Sequence, residues 1–358
     1  MSRSKVLIAG GLGVVGRAAL EYFEGLDDWD IVALSRRRPD FKTRARFVSV
    51  DLRNADECER VLGGQSDVTH VVFAALSEQT GAEKRTETDN ARVNVQMLST
   101  LVDCVEKNST VFRHITLMQG GKAYGVHLGP PPTIPSRETD GRTMTPNFYF
   151  DQEDLIIERQ RGKRWTWTVL RPPSVCGFAI GSPMNMLLLT GIFASVCREL
   201  GLPLRFPGVI GHLKDTCDSG LLAKAIVWCG TTPAAQNQIF NISNGDCFLW
   251  EALFPKVAEL FKMPAGAPHA LSMARTMPGK GELWDRIVKR YDLKPYALRD
   301  LIPTWDYADF TYRYQQAPFH SLLSTIKIRK AGFHDCIDSE RMLLDHLRRL
   351  QEQRVLPF

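Results

Sequence analysis

Short apolar runs alternate with helical patterns along the first half of the chain. The runs are rich in β-branched residues and apolar on both faces, which is typical of a parallel sheet covered by helices on each side. The pattern therefore predicts an α/β fold. Strands are predicted over Lys5–Ala9, Ile31–Leu34, Phe47–Val50, Val68–Ala74, Phe112–Met118 and Trp165–Leu170, with helices over Val14–Phe23, from about Ala82 to Val105, and from near Asp151.

The pattern changes after Arg171-Pro172-Pro173, where prolines, glycines and aromatic residues become frequent. One apolar strand, Gln238–Ile242, is predicted to return to the first sheet. We predict a cofactor-binding domain over residues 1–175, joined by a segment of about 215–245, and a smaller, mostly helical substrate-binding lobe over residues 176–358. Helices are predicted in this second half over Ser219–Cys229, Leu249–Phe261, Leu283–Tyr291 and His320–Ile328.

Composition narrows the range of functions. The 358 residues are 44% hydrophobic and 24% charged, as in ordinary globular proteins. The net charge of +5 is too small to indicate a nucleic-acid or membrane partner. The longest apolar stretch, residues 184–197, is too short to span about 30 Å of hydrocarbon, and the first residues do not resemble a signal peptide. We expect a cytoplasmic protein that acts on a small molecule. Whether it forms a homodimer is a question that the sequence leaves open.

The eight cysteines are scattered, with no C-x-x-C motif and no histidine at metal-binding spacing. This scatter predicts reduced, mostly buried thiols and no metal site.

A glycine-rich turn follows the first predicted strand and opens the first predicted helix. It reads Gly10-Gly11-Leu12-Gly13-Val14-Val15-Gly16, with the spacing G-x-x-G-x-x-G. Glycines there allow a tight turn and a close approach of backbone N–H groups to a pyrophosphate, and the strand and helix around them are the expected context. A turn without a ligand is the weaker alternative. The spacing predicts a Rossmann-type doubly wound sheet, with cofactor contacts from Gly10, Leu12, Gly13, Val14, Val15 and Gly16.

The end of the second strand distinguishes between cofactors. NAD sites place an acidic residue there for the ribose 2′-hydroxyl, whereas NADP sites use arginine for the 2′-phosphate. Here the strand continues into Ser35-Arg36-Arg37, which favours NADPH or NADP⁺ over a merely solvated basic turn. The adenosine half of the cofactor is expected beside the ends of the next two strands, at Asp51, Leu52, Ala75 and Leu76.

The glycine spacing belongs to the short-chain dehydrogenase/reductase superfamily, whose usual signature is a tyrosine followed four residues later by lysine. None of the eight tyrosines here has that lysine. Two other stretches bring a lysine and a tyrosine to the same edge of the sheet. Residues 117–125 place Lys122 after the fifth strand, and residues 146–154 place Tyr149 at the start of the next helix.

These stretches resemble a known family. The pattern L-Q-T-G-x-K-H-Y is similar to residues 117–124, and N-F-Y-Y-x-x-E-D is similar to residues 147–154. The chain thus resembles the progesterone 5β-reductase/iridoid synthase-like family of atypical extended short-chain reductases. Further matches in the same order are SRR at 35–37, RPPSVCGF at 171–178, GLPLRFPG at 201–208, FNISNGDCFLW at 240–250 and IRKAGF at 328–333.

The resemblance implies NADPH and reduction of the carbon–carbon double bond of an α,β-unsaturated carbonyl compound. It implies that Lys122 and Tyr149 are catalytic and also contact the cofactor. Three residues depart from the family pattern, namely Met118, Ala123 and Phe150, and these departures leave the substrate open. From the fold and the resemblance, further cofactor contacts are expected at Met118, Pro172, Val175, Ser182 and Met184. Of the aromatic residues that could line an apolar pocket, Phe150 and Phe333 are expected to contact the substrate.

The residues suit this chemistry. Hydride addition to the β-carbon of an enone moves negative charge onto the carbonyl oxygen, which then needs a hydrogen-bond donor. The hydroxyl of Tyr149 can donate, and a nearby Lys122 ammonium would strengthen the donation. Two alternatives stay open: a carbonyl reductase or epimerase on the extended scaffold, and a non-catalytic NADP-sensing protein.

Overall fold

The computed structural model describes residues 3–77 and 85–358. The chain divides into two compact units. The first comprises residues 1–173, 219–242 and 323–335, and the second comprises residues 174–218, 243–322 and 336–358. Residues 323–335, which the sequence analysis assigns to the second lobe, thus belong to the first unit.

A seven-stranded parallel sheet forms the centre of the first unit, in the order β3-β2-β1-β4-β5-β6-β9. Its first six strands have the Rossmann order, so the predicted α/β doubly wound fold is confirmed. The strand predicted near Gln238 joins β6 at the edge of the sheet, and β7 pairs with β8 in the second unit. The strands are β1 (Ser4–Ala9), β2 (Trp29–Leu34), β3 (Arg46–Val48), β4 (His70–Phe73), β5 (His114–Met118), β6 (Thr166–Arg171), β7 (Ser174–Cys176), β8 (Thr216–Asp218) and β9 (Gln238–Asn241).

Helices α1, α2, α3, α4, α6 and α12 belong to the first unit, and the others belong to the second. In the first unit, α1 packs against α6, and α3 packs against α2 and α4. The helices are α1 (Val14–Glu24), α2 (Ala55–Leu62), α3 (Glu87–Asn108), α4 (Phe148–Gln160), α5 (Met186–Glu199), α6 (Ser219–Thr231), α7 (Trp250–Leu260), α8 (Met273–Thr276), α9 (Gly281–Arg290), α10 (Leu298–Leu301), α11 (Asp306–Thr311), α12 (Ile326–Lys330) and α13 (Ser339–Glu352).

Two predicted helices differ from the structure at their starts. The predicted helix over His320–Ile328 is wrong in its first part, because the backbone of Ser321 bridges to Lys214 and helix α12 begins only at Ile326. The helix predicted from Ala82 begins at Glu87 in the described chain, and residues 82–84 lie outside the described residues. Thr86 caps α3 by accepting a hydrogen bond from the N–H of Asp89 at 3.1 Å.

The apolar stretch 184–197 forms most of α5, and the α5 residues Met186 to Cys197 are all buried in the core of the second unit. In the described chain, no helix is long and apolar enough to cross a membrane. All eight cysteines are free thiols, of which only Cys247 and Cys336 are exposed. The described residues contain no group of three or more histidines, cysteines, aspartates or glutamates that could hold a metal ion.

Candidate active site

The turn between β1 and α1 leaves no room for a side chain at two positions. Gly10 has a φ of +84°, and a Cβ there would lie 2.7 Å from the carbonyl oxygen of Ala74. A Cβ on Gly16 would lie only 2.2 Å from the carbonyl oxygen of Gly10. The N–H groups of Gly10 and Gly11 donate to the carbonyl oxygen of Leu34 at 3.1 and 3.0 Å. The turn is thereby fixed to the end of β2.

The start of α1 suits a phosphate group. Gly13 is the N-cap residue and is exposed, no side chain caps the helix, and its first turn contains no acidic residue. Val14 and Val15 follow with half-buried side chains, while Leu12 is buried below the turn. Uncapped N–H groups and the positive end of the helix dipole attract an anion. These residues therefore fit the pyrophosphate of a dinucleotide.

The residues predicted to bind the 2′-phosphate of the cofactor lie directly after β2. Ser35 accepts a hydrogen bond from the backbone N–H of Arg37 at 3.2 Å, and the side chains of Arg36 and Arg37 are exposed. The hydrogen bonds from Arg53, with a smaller contribution from the charge of Arg36, lower the pKa of Asp51 to about 2. Two exposed arginines thus follow this strand end, where a 2′-phosphate would be bound.

The parallel register brings the other predicted cofactor residues to the same edge of the sheet. Ala9 is in register with Phe73, and Phe73 is in register with Leu117. Strands β1, β4 and β5 therefore end side by side. Ala75 is half-buried just beyond β4, and Leu76 is 38% exposed. Met118 is the last residue of β5 and is half-buried, and Leu52 is buried beyond β3.

Tyr149 lies in the first turn of α4. Asn147 is the N-cap of this helix, and its side-chain oxygen accepts a hydrogen bond from the N–H of Tyr149 at 3.1 Å. The phenol packs edge-on against Phe148, with 4.5 Å between the ring centroids. Its hydroxyl oxygen is 3.5 Å from the point that a Cβ on Gly120 would occupy. The phenol hydroxyl thus lies close to Gly120, just beyond β5.

Lys122 lies in a single 3-10 turn over Gly121–Tyr124, directly beyond β5. The side-chain amide of Asn147 donates to the carbonyl oxygen of Lys122 at 2.9 Å. Asn147 therefore holds the backbones of both candidate catalytic residues, Lys122 and Tyr149. The sequence analysis missed this role, although asparagine directly before a helix is a known capping signal. Burial and the charge of Lys122 lower the pKa of His127.

A buried polar network lies behind Tyr149. The amide of Gln119 donates to the backbone carbonyl oxygen of Tyr149 at 2.7 Å. The Nε of Arg171 donates to the side-chain oxygen of Gln119 at 3.2 Å, and the Nη2 of Arg171 forms an ion pair with Glu153. The side chains of Arg171 and Glu153 are only 5% and 2% exposed. Glu153 stands four residues after Tyr149, where most short-chain reductases have their lysine.

The network extends to β9. Arg171 donates to the hydroxyl oxygen of Tyr124 at 3.2 Å, and this hydroxyl donates to the side-chain oxygen of Asn241. Burial raises the pKa of Tyr124 to about 12, so the phenol stays protonated. The sequence analysis missed this network. The available signal was Arg171, a charged residue at the end of an apolar strand, because a buried charge requires partners.

The remaining predicted cofactor and substrate residues are spread over several parts of the structure. Phe150 packs with Tyr124 and lies 5.0 Å beneath the guanidinium carbon of Arg142, and Phe333 packs against Trp228 with 5.6 Å between ring centroids. The carbonyl oxygen of Pro172 is 3.2 Å from the Cβ position of Gly120, so Pro172 borders the tyrosine site. Three residues belong to the second unit: Val175 in β7, and Ser182 and Met184 before α5.

Comparisons with known proteins establish the family. Residues 6–243 match the NAD dependent epimerase/dehydratase family. Over 377 residues the chain is 31% identical to the (S)-8-oxocitronellyl enol synthase ISY2 of Nepeta cataria, covering 98% of this chain and 91% of that protein. The chain belongs to the progesterone 5β-reductase/iridoid synthase-like family.

A relative from Penicillium is also similar over nearly the whole chain. The short chain dehydrogenase gsfE of Penicillium aethiopicum is 29% identical and covers 98% of both chains. The fold is shared more widely. A UDP-glucose 4-epimerase structure superimposes with a TM-score of 0.69 at 14% identity, covering 98% of both chains. The Thermus thermophilus UDP-glucose 4-epimerase in complex with NAD gives a TM-score of 0.63 at 17% identity, covering 96% of this chain and 99% of that one.

Proposed function

We propose that this protein is an NADPH-dependent reductase of the carbon–carbon double bond of α,β-unsaturated carbonyl compounds. The observation that carries this proposal is the arrangement of Tyr149 and Lys122 around Asn147, beyond β5. This edge of the sheet also carries the glycine-rich turn. Several relatives are named as enol synthases, and an enol is the protonated form of the enolate that hydride addition to an enone produces.

NADPH, when bound, supplies the hydride for the β-carbon of the substrate. Tyr149 would donate a hydrogen bond to the substrate carbonyl oxygen, where negative charge develops. Because Asn147 and Gln119 hold the backbone of Tyr149, this donor needs little reorganisation during the reaction. Lys122 would stabilise the developing charge and contribute to cofactor binding. The α-carbon can take its proton from water afterwards, so no further acid is required.

The choice of NADPH rests on the strand end after β2. Arg36 and Arg37 are exposed there, and a guanidinium can bind a phosphate through two parallel hydrogen bonds. In the described chain, no acidic residue stands directly at this strand end, where NAD-specific folds hold the ribose hydroxyls. The site therefore suits a 2′-phosphate.

The test is the oxidation of NADPH in the presence of 2-cyclohexen-1-one, followed at 340 nm, with product identification by gas chromatography. We expect saturated ketone as the product and faster turnover with NADPH than with NADH. Cyclohexanone is the matched control, because it offers only a C=O bond. Reduction of cyclohexanone alone would indicate a carbonyl reductase, and tight NADPH binding without turnover of any enone would indicate a sensing protein. Either result would refute the proposal.

A further inference from the structure

Two cationic side chains of the second unit meet at one aromatic ring. The guanidinium carbon of Arg313 lies 3.6 Å from the ring centroid of Phe319, and the ammonium nitrogen of Lys214 lies 5.6 Å from the same centroid. The backbone of Lys214 is held by two hydrogen bonds with Phe248, at 3.0 and 2.8 Å. We call Lys214, Arg313 and Phe319 the cationic cluster.

Arg313 is buried, and most of its hydrogen-bond donors have no partner in the described chain. Arg313 is only 2% exposed. Its Nη1 donates a hydrogen bond to the side-chain oxygen of Gln316 at 3.1 Å. Among the described residues, its Nε and Nη2 have no hydrogen-bond partner, and both nitrogens are buried. These two nitrogens form the side edge of the guanidinium, whose parallel N–H groups match the two oxygens of a carboxylate or phosphate. Arg313 also has a φ of +60°, a strained conformation for arginine.

The cationic cluster carries an excess of positive charge. In the described part of the chain, neither Lys214 nor Arg313 forms an ion pair with a carboxylate. Burial, and then the charge of Arg313, lower the pKa of Lys214 to about 7, and Asp215 offsets this only in part. Burial lowers the pKa of Arg313 to about 10. His212 is buried, and burial and the charge of Lys214 lower its pKa, while the charge of Glu251 acts in the opposite direction.

We propose that the cationic cluster binds an oxyanion, the carboxylate or phosphate group of a small ligand. Leaving a buried guanidinium edge unpaired is costly, whereas an oxyanion would accept both of its N–H groups and pair with the ammonium of Lys214. Lys214 and Phe319 are both half-buried, so solvent reaches part of the cluster. This site lies in the second unit and does not depend on the proposed reduction.

The test is isothermal titration calorimetry at pH 8 with inorganic phosphate and, separately, with acetate, using sodium chloride at equal ionic strength as the reference. Saturating NADP⁺ is present, so that phosphate sites of the cofactor are filled. We expect saturable binding of at least one anion, and the stronger of the two identifies the ligand group. Binding should take up protons at this pH, because an anion raises the pKa of Lys214.

Variants decide whether the binding belongs to this cluster. Lys214→Met should bind the anion about tenfold more weakly or worse, because it loses a charged partner. It should unfold at the same temperature as the wild type or higher, since it removes repulsion from Arg313. Lys289→Met removes an exposed charge from the same unit and should bind like the wild type. Absence of saturable binding, or equal affinity in Lys214→Met and wild type, would overturn the proposal.

Discussion

The two ends of the first unit's sheet bury polar groups in opposite ways. At the amino end, His70 and His114 begin β4 and β5, with 6.3 Å between their ring centroids. His70 contacts the carbonyl oxygen of Gly230 at 3.1 Å, and His114 contacts the hydroxyl of Thr166 at 2.9 Å. At the carboxyl end, the buried groups are the charged pair Arg171 and Glu153.

This difference separates an end of the sheet that buries neutral groups from the end where we propose the active site. Burial lowers the pKa of His70 to about 4 and that of His114 to about 3, so both rings are neutral at pH 7. Neutral groups with a few hydrogen bonds can fill a core at little electrostatic cost. The charged pair at the other end costs desolvation, but its hydrogen bonds continue through Gln119 to the backbone of Tyr149.

Breaking the charged pair should have the largest effect. Glu153→Gln leaves the buried guanidinium of Arg171 without its counter-charge, and removal of one partner of a buried pair costs about 3–5 kcal/mol. Urea unfolding of the variant measures this loss. Asp154→Asn is the matched control, because Asp154 is an exposed neighbour whose partner is Arg142, and its change should stay below about 1 kcal/mol. Equal losses in the two variants would show that the buried pair contributes no more to stability than the exposed one.

Tyr149→Phe should lower kcat for enones by about 10²–10³, the usual effect of removing one oxyanion donor. The affinity for NADPH should stay nearly unchanged, because the phenol hydroxyl acts on the substrate. Steady-state kinetics and a fluorescence titration with NADPH measure the two quantities.

Two further variants frame that result. Tyr22→Phe removes a half-buried hydroxyl on α1 and should leave kcat unchanged. Lys122→Ala should weaken both turnover and NADPH binding, since we assign it both roles. If Tyr149→Phe reduced enones as fast as the wild type, another donor would have to carry the reaction.

The two histidines at the amino end of the sheet should make the stability of the protein depend on pH. An unfolded histidine takes up a proton near pH 6.5, whereas His70 and His114 resist protonation in the fold. Their contribution to stability is therefore complete above pH 6.5 and is lost as the pH falls toward 4. We expect the free energy of unfolding to decrease by about 2–3 kcal/mol between pH 6.5 and 5. His70→Gln should remove about half of this pH dependence, and an unchanged dependence would refute the assignment.

The smallest of these effects concerns cofactor choice. The double variant Arg36→Ala/Arg37→Ala should lose about 1.5–3 kcal/mol of NADPH binding, the range for hydrogen bonds to charged groups. The affinity for NADH should change little, because NADH lacks the 2′-phosphate. Arg38→Ala is the matched control, since Arg38 is the next exposed arginine in the same turn. KM values for both cofactors measure the preference, and an unchanged ratio would exclude these arginines as its source.

Local sequence patterns predicted much of the fold and part of the candidate site. The apolar runs and the glycine spacing are short-range signals, since they depend on the period of a strand and on room for one backbone turn. They sufficed for the parallel sheet and for the turn at Gly10 to Gly16. The family resemblance at residues 117–124 and 147–154 could likewise be recognised from the sequence, because each motif is contiguous.

Contacts between distant segments were decided only by the tertiary structure. The backbone of Ser321 bridges to Lys214 and so prevents the predicted helix from starting at His320, a pairing that no local pattern records. The hydrogen bond from Gln119 to Tyr149 spans 30 residues, and the one from Arg171 to Gln119 spans 52. A sequence shows which residues carry charge or hydrogen-bonding groups. Which partners these groups find depends on how the strands and helices pack. Only a group that packing has buried pays a large free-energy cost for being unpaired.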